Sequence, residues 1–225
     1  MMNYRKNTLV VLGLSAALLG GNACADVVVD NGVVTATGTH VTYTFNSADL
    51  GLFGPVESVS ILGDTLSFAA SGFNIAGSGL LEDTLQISVS AHSGYLLSSF
   101  GLEEGGSYTT GSFVDVEGML VVEDSFSPNS NFVSAGLVAS LGDGGWTAQT
   151  GTVSPLAGWG ESGVFDSATL TVTNVLVALG ASVSKNYVNI SAIAAPVPEA
   201  ETYAMMLAGL GLVGFMARRK SESST

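Results

Sequence analysis

The chain has 225 residues, 47% of them hydrophobic and 11% charged, with 19 acidic side chains against 6 basic ones, 29 Gly and one Cys. A formal net charge of -13 leaves no electrostatic footprint for a polyphosphate, so nucleic acid is excluded as a partner. The apolar content is far from that of disordered chains, and a single Cys builds neither a disulfide framework nor a thiolate zinc site.

At the front, Arg5 and Lys6 precede the apolar stretch Thr8 to Leu19, and Gly20, Gly21 and Asn22 break it. Ala23-Cys24-Ala25 then places small residues at the two positions that signal peptidase reads. This predicts a signal peptide over residues 1–25, a mature start at Asp26 and a mature chain without a thiol. Lipidation of Cys24 is the rival reading, but Gly21 stands where a lipoprotein signal carries an apolar residue.

Residues 26–196 hold sixteen acids and one base, Lys185. A stretch of about 170 residues is enough for one domain with a real core. Its periodicity is two: Val41, Tyr43 and Phe45, then Leu66 and Phe68, then Leu85, Ile87, Val89 and Ala91 alternate with polar residues. Val114 and Val116, Leu120 and Val122, and Ala168, Leu170 and Val172 repeat the pattern, and apolar runs at Val56 to Leu62, Phe132 to Ala139 and Val183 to Ile193 add further strands. Breaks are expected at Gly51 to Pro55, Ser71 to Gly79, Gly105-Gly106, Ser127 to Asn131 and Gly142 to Gly145, with a bulge at Asn174. Nine to eleven short strands predict an all-β, antiparallel β-sandwich body, jelly-roll-like, flanked by an N-terminal signal helix and a C-terminal hydrophobic helix.

Chemistry is sparse in this body. His40 and His92 are its only neutral-pH bases, and no Gly-x-Ser-x-Gly nucleophile elbow accompanies them, so no catalytic residues are expected and an extracellular hydrolase is a weak reading. The doublets Glu82-Asp83, Glu103-Glu104 and Glu123-Asp124 are read as solvated carboxylates near turns, because strand neighbours point to opposite faces and do not oppose each other across a substrate. No cofactor is expected; calcium held by Asp143 or one of the doublets with loop carbonyls is the alternative weighed. Thr35, Thr37 and Thr39, and again Thr169, Thr171 and Thr173, form rows of the kind ice-binding surfaces use, without the internal repeat that stacks such rows. Trp146, after Gly144-Gly145, and Trp159, between Gly158 and Gly160, are the candidates for stacking on a sugar ring in a carbohydrate-binding module; the alternative is that each caps the core.

At the back, Pro196-Val197-Pro198 leads into the uncharged run Tyr203 to Ala217, followed at once by Arg218-Arg219-Lys220. Fifteen helical residues rise about 22 Å against a hydrocarbon core of about 30 Å, a short transmembrane helix at most, with the basic triplet cytoplasmic. Val197-Pro198-Glu199, Glu201-Thr202-Tyr203-Ala204, the apolar segment and Arg218, Arg219 and Lys220 resemble the PEP-CTERM sorting signal of Gram-negative bacteria that make exopolysaccharide. The departure is Ala200, where that family has its second proline. The resemblance implies a sorting signal over 197–220 with a polar tail at 221–225, transient inner-membrane anchoring, and processing by the membrane protease exosortase. It further implies delivery to the cell surface or extracellular matrix, with extracellular polysaccharide as a candidate partner. The same segment also occurs on some proteins described as ice-binding. The expectation is a non-enzymatic exported protein with a structural, adhesive or biofilm-associated role.

Overall fold

Apolar and hydroxyl side chains alternate through most of the body, and on an extended backbone that alternation gives each strand one dry and one wet face. The computed structural model describes residues 26–109, 113–126, 132–136, 138–142, 144–161, 164–197 and 205–213. Its strands are β1 (Asp26–Asp30), β2 (Val33–Thr37), β3 (Val41–Asn46), β4 (Ser60–Leu62), β5 (Thr65–Phe68) and β6 (Asn74–Ala91). β7 (Tyr95–Tyr108), β8 (Phe113–Asp124), β9 (Phe132–Gly136), β10 (Val138–Gly142), β11 (Gly145–Gln149) and β12 (Ser167–Pro196) follow. All pairings are antiparallel, as the alternation predicts.

The thirty-residue β12 is the spine. Its first half lies between β6 and β8, and its second half lies between β5 and β7. One layer is therefore β1-β2-β3-β6-β12-β8-β9, and the other is β4-β5-β12-β7-β11-β10. The two layers of the sandwich belong to one hydrogen-bonded sheet, joined where β6 and β12 turn the corner together. Gly180 (φ +63) and Gly77 (φ +96) sit at that corner, where the register shifts between Ala178 and Ala181. Further shifts fall between Lys185 and Tyr187 and between Ile193 and Ala194.

These shifts have a packing consequence. Before the corner the even residues Ala168, Leu170, Val172, Leu176 and Ala178 are buried; after it Ala181 and Val183 are; beyond the next shift Val188, Ile190 and Ala192 are. Each extra residue resets the parity, so a single strand keeps its apolar side chains in one core across both layers. Asn174 is not a bulge: it pairs in regular register with Asp83 and Gly118.

Other expectations change for related reasons. Asn74 to Gly79 and Gly105-Gly106 are strand, not breaks: the first stretch pairs with β12, and at Gly105 and Gly106 the rings of Tyr187 and Trp146 fill the space the missing side chains leave. Val56 to Leu62 divides into a 3-10 turn and the short β4, and Phe132 to Ala139 divides between β9 and β10. Ser127 to Asn131 lies outside the described residues, as does the signal peptide.

Residues 205–213 form a nine-residue helix on which every side chain is exposed, including Met205, Leu207, Leu210 and Val213. Among the described residues no helix is long and apolar enough to cross a membrane. The rest of the run from Tyr203 to Ala217 lies outside the described residues.

Candidate functional site

The first place where the sequence carries function is the seam between body and tail. β12 ends at Pro196, and Val197 N–H donates to the Gly94 carbonyl at 2.8 Å, tying the end of the body to the β6–β7 turn. Removal of the chain beyond Val197 therefore takes no described strand from either layer. Pro198, Glu199, Arg218, Arg219 and Lys220 lie outside the described residues, as do Ala23 and Ala25.

The two tryptophans, the sequence candidates for sugar stacking, are each 3% exposed and belong to the core. Trp146, on β11, donates Nε1–H to the Ser184 carbonyl at 3.1 Å, and Trp159 packs edge-on against Phe165 with ring centroids 5.5 Å apart. An indole buried to this degree in a core has no face left for a ligand, so the core-capping alternative describes their placement. The two histidines are also committed. His40 Nδ1 is 2.7 Å from Asp64 Oδ2, its ring packs on Tyr95, and His92 Nε2 is hydrogen-bonded to Thr42 Oγ1 at 3.0 Å.

The acidic doublets lie within strands rather than at turns, and two of the three have a buried member, which corrects the reading of them as solvated. Asp124 is buried and accepts from Phe126 N at 3.0 Å and from Gly160 N at 2.9 Å, so it organises the loop that carries Trp159. Asp83 accepts from Leu52 N and from Thr84 N. Among the described residues no group of three or more His, Cys, Asp or Glu side chains is arranged to hold a metal. Asp143, the other calcium candidate, lies outside them. Thr169, Thr171 and Thr173 lie on the outer face beside Ser88, Gln86 and Thr84 of β6, and Thr39 falls beyond the end of β2.

The third doublet leads to a feature that composition alone did not reveal. Glu104, Lys185 and Asn174 are all buried, and Glu104 is the common neighbour of the other two inside the core. Lys185 Nζ contacts Glu104 Oε2, with the rings of Phe73 and Trp146 at 5.0 and 5.6 Å from the nitrogen. Burial drives the Glu104 carboxyl above its usual range, with Lys185 and then Asn174 pulling it back. Burial likewise drives the Lys185 ammonium below its usual range, opposed by Glu104. Glu104 Oε1 and both amide atoms of Asn174 have no hydrogen-bond partner of regular geometry among the described residues. Asn174 comes from the first half of β12 and Lys185 from the second, so the cluster spans both layers. The signal was present in the alternation: Leu102-x-Glu104, Val172-x-Asn174 and Val183-x-Lys185 each put a polar residue at an inward position.

On the outer surface a cleft of about 280 Å³ is lined by Thr65, Glu103, Gln149, Thr152, Asn189 and Ser191 among others. Phe100, Leu102 and Ile193 complete the lining, so its amides, hydroxyls and single carboxylate are interspersed with apolar surface.

The model of the PEP-CTERM protein-sorting motif matches residues 196–220, so the chain carries this motif directly after its last strand. The motif implies export and recognition by exosortase, through a membrane-anchored sorting precursor. No curated protein matches the chain significantly. Among solved structures, TmCBM61 in complex with β-1,4-galactotriose is similar over 70% of this chain and 83% of its own, at 12% identity and a TM-score of 0.24. So low a score leaves the fold to be defined by the strands themselves.

Proposed function

We propose that this chain is a non-enzymatic exported protein that exosortase releases from its membrane precursor toward the cell surface or extracellular matrix. There the β-sandwich body serves a structural, adhesive or exopolysaccharide-associated role. The observation that carries the reading is the sorting motif at 196–220, beginning where the last strand of an independent core ends. On this reading the sequence of partners is signal peptidase at Ala23 and Ala25, the membrane through the apolar run ahead of Arg218, Arg219 and Lys220, and then exosortase at Val197, Pro198 and Glu199. Deleting the exosortase gene in the producing cell tests it. A tail-bearing precursor held in the envelope is expected, and unchanged processing and location would overturn the reading.

A second reading, glycan binding, is supported by the polar cleft beside Glu103, Gln149 and Asn189 rather than by the tryptophans. Retention of the purified body on the organism's own polysaccharide, compared with a Gln149→Ala/Asn189→Ala variant, tests it; equal retention of the two would remove the cleft as the site.

A further inference from the structure

A lysine without solvent, a carboxyl without solvent and a primary amide without a hydrogen bond of regular geometry to any described residue meet in one core, and none of the three explains itself as packing. A buried ion pair gains little over apolar residues of the same size. An amide left with both ends unsatisfied costs more than an apolar isostere. The chemistry of the three groups together accounts for all of them. We propose that Lys185 and Asn174 are joined by an intramolecular isopeptide bond, formed spontaneously in the folded body with Glu104 as the proton-transfer group.

The step balances without any co-reactant. The ammonium of Lys185 passes one proton to the Glu104 carboxylate that it touches, leaving a neutral amine and a carboxylic acid. The dry surroundings favour that neutral pair, consistent with the upward shift of the acid and the downward shift of the base. The protonated carboxyl polarises the Asn174 carbonyl, and the lone pair on Nζ attacks Cγ to form the new carbon–nitrogen bond. Glu104 then takes a proton from the attacking nitrogen and delivers it to Nδ2. The bond from Cγ to Nδ2 breaks, and ammonia leaves. A primary amine and a primary amide have become a secondary amide and ammonia, with no change of oxidation state. Phe73 and Trp146 over Nζ exclude the water that would compete for the acyl carbon and would keep the amine charged.

The placement gives the bond a mechanical use. It would fasten the two halves of β12 across the corner at Gly180, and so fasten one layer of the sandwich to the other. A body whose only Cys lies in the expected signal peptide has no disulfide for that purpose.

The sequence makes the test unusually clean, because Lys185 is the only Lys or Arg between Lys6 and Arg218. The full chain, exported by a producing host, is denatured and divided in two. One portion is cut after acidic residues, which releases residues 167–199 as a single peptide holding both Asn174 and Lys185; the other is cut with trypsin. The proposal expects the peptide to be lighter than its sequence by one ammonia and the denatured body to resist cleavage after Lys185. A peptide of full mass, with cleavage after Lys185, overturns it. Ammonia loss with normal cleavage would mean a cyclised Asn174 and also overturns it, as would a branched peptide joining Lys185 to Glu104 with loss of water. Glu104→Gln is expected to give full mass and free cleavage while remaining folded by circular dichroism. Asn174→Asp guards against a variant that simply misfolds: it should keep the link and lose water in place of ammonia.

Discussion

Gly106 and Trp146 are fitted to each other across β7 and β11: a Cβ added at Gly106 would stand 2.6 Å from Trp146 Nε1 and would also meet the Ser184 carbonyl oxygen to which that nitrogen donates. One of the two atoms in the way is backbone of the adjacent β12, so side-chain rotation cannot relieve the clash. Gly106→Ala is therefore expected to cost about 3 kcal/mol, the upper end of ordinary overpacking. Chemical denaturation followed by tryptophan fluorescence checks it, and a change below about 0.5 kcal/mol would contradict the fit.

The same pair shows what the sequence could and could not disclose. Alternation reads out β3, β5, β8 and the paired stretches of β6 and β12, because each has one dry face and a period of two leaves a plain trace. Asn31-Gly32, both with positive φ, marks the β1–β2 hairpin, a turn signal that the sequence carries locally. The Gly-rich stretches were harder. A glycine written as a break is also the residue that lets a neighbour's ring lie against the backbone, and only the pairing of β7 with β11 and β12 tells the two apart. Trp146 and Trp159 looked available in their loop-like surroundings, yet their burial depends on partners far along the chain, Ser184 in one case and Asp124 through Gly160 in the other. The interior cluster had the opposite character: its three inward positions were legible one by one, but their meeting depends on the corner at Gly180, which no local pattern announces.

Removing one member of that cluster strands another. Lys185→Met leaves the Glu104 carboxyl in the core without the nitrogen it touches, an unsatisfied buried polar group expected to cost roughly 1–3 kcal/mol. Adding Glu104→Leu removes the stranded group, so the double variant is expected to be more stable than Lys185→Met alone. Urea midpoints of the three proteins give the ordering, and a double variant weaker than the single one would show that the carboxyl was not the burden.

Tyr43 makes the alkaline limb of stability testable. Its hydroxyl donates to the Asp64 carbonyl at 2.6 Å in a fully buried position, and burial first, then the Asp64 charge, push its titration well above the ordinary value of 10.0. The folded protein thus keeps a proton that the unfolded chain gives up above about pH 10. A group raised in this way contributes stability that is complete below the unfolded value and is lost as pH climbs past it. Tyr43→Phe should cost about 1 kcal/mol at neutral pH, through the lost hydrogen bond, and should show a shallower decline of stability between pH 10 and 11. Parallel slopes for the two proteins above pH 10 would contradict the assignment.

The tryptophans separate a structural from a ligand-binding role. Trp159 is packed edge-on against Phe165 and held in a loop that Asp124 fixes through Gly160, and Trp146 is pinned to Ser184. Truncating either to Ala empties a large volume in an apolar core, with an expected loss of about 3–5 kcal/mol, at the scale known for buried aromatic residues. Because neither ring has a free face, retention on the organism's polysaccharide should be the same for each variant as for the parent when compared per folded molecule. Thermal melts and affinity electrophoresis on the same preparations measure the two quantities side by side. The core placement predicts a lower melting temperature with unchanged retardation in the gel. Unchanged melting with lost retardation would mean that the indoles reach the ligand after all, and the burial assigned to them would then be wrong.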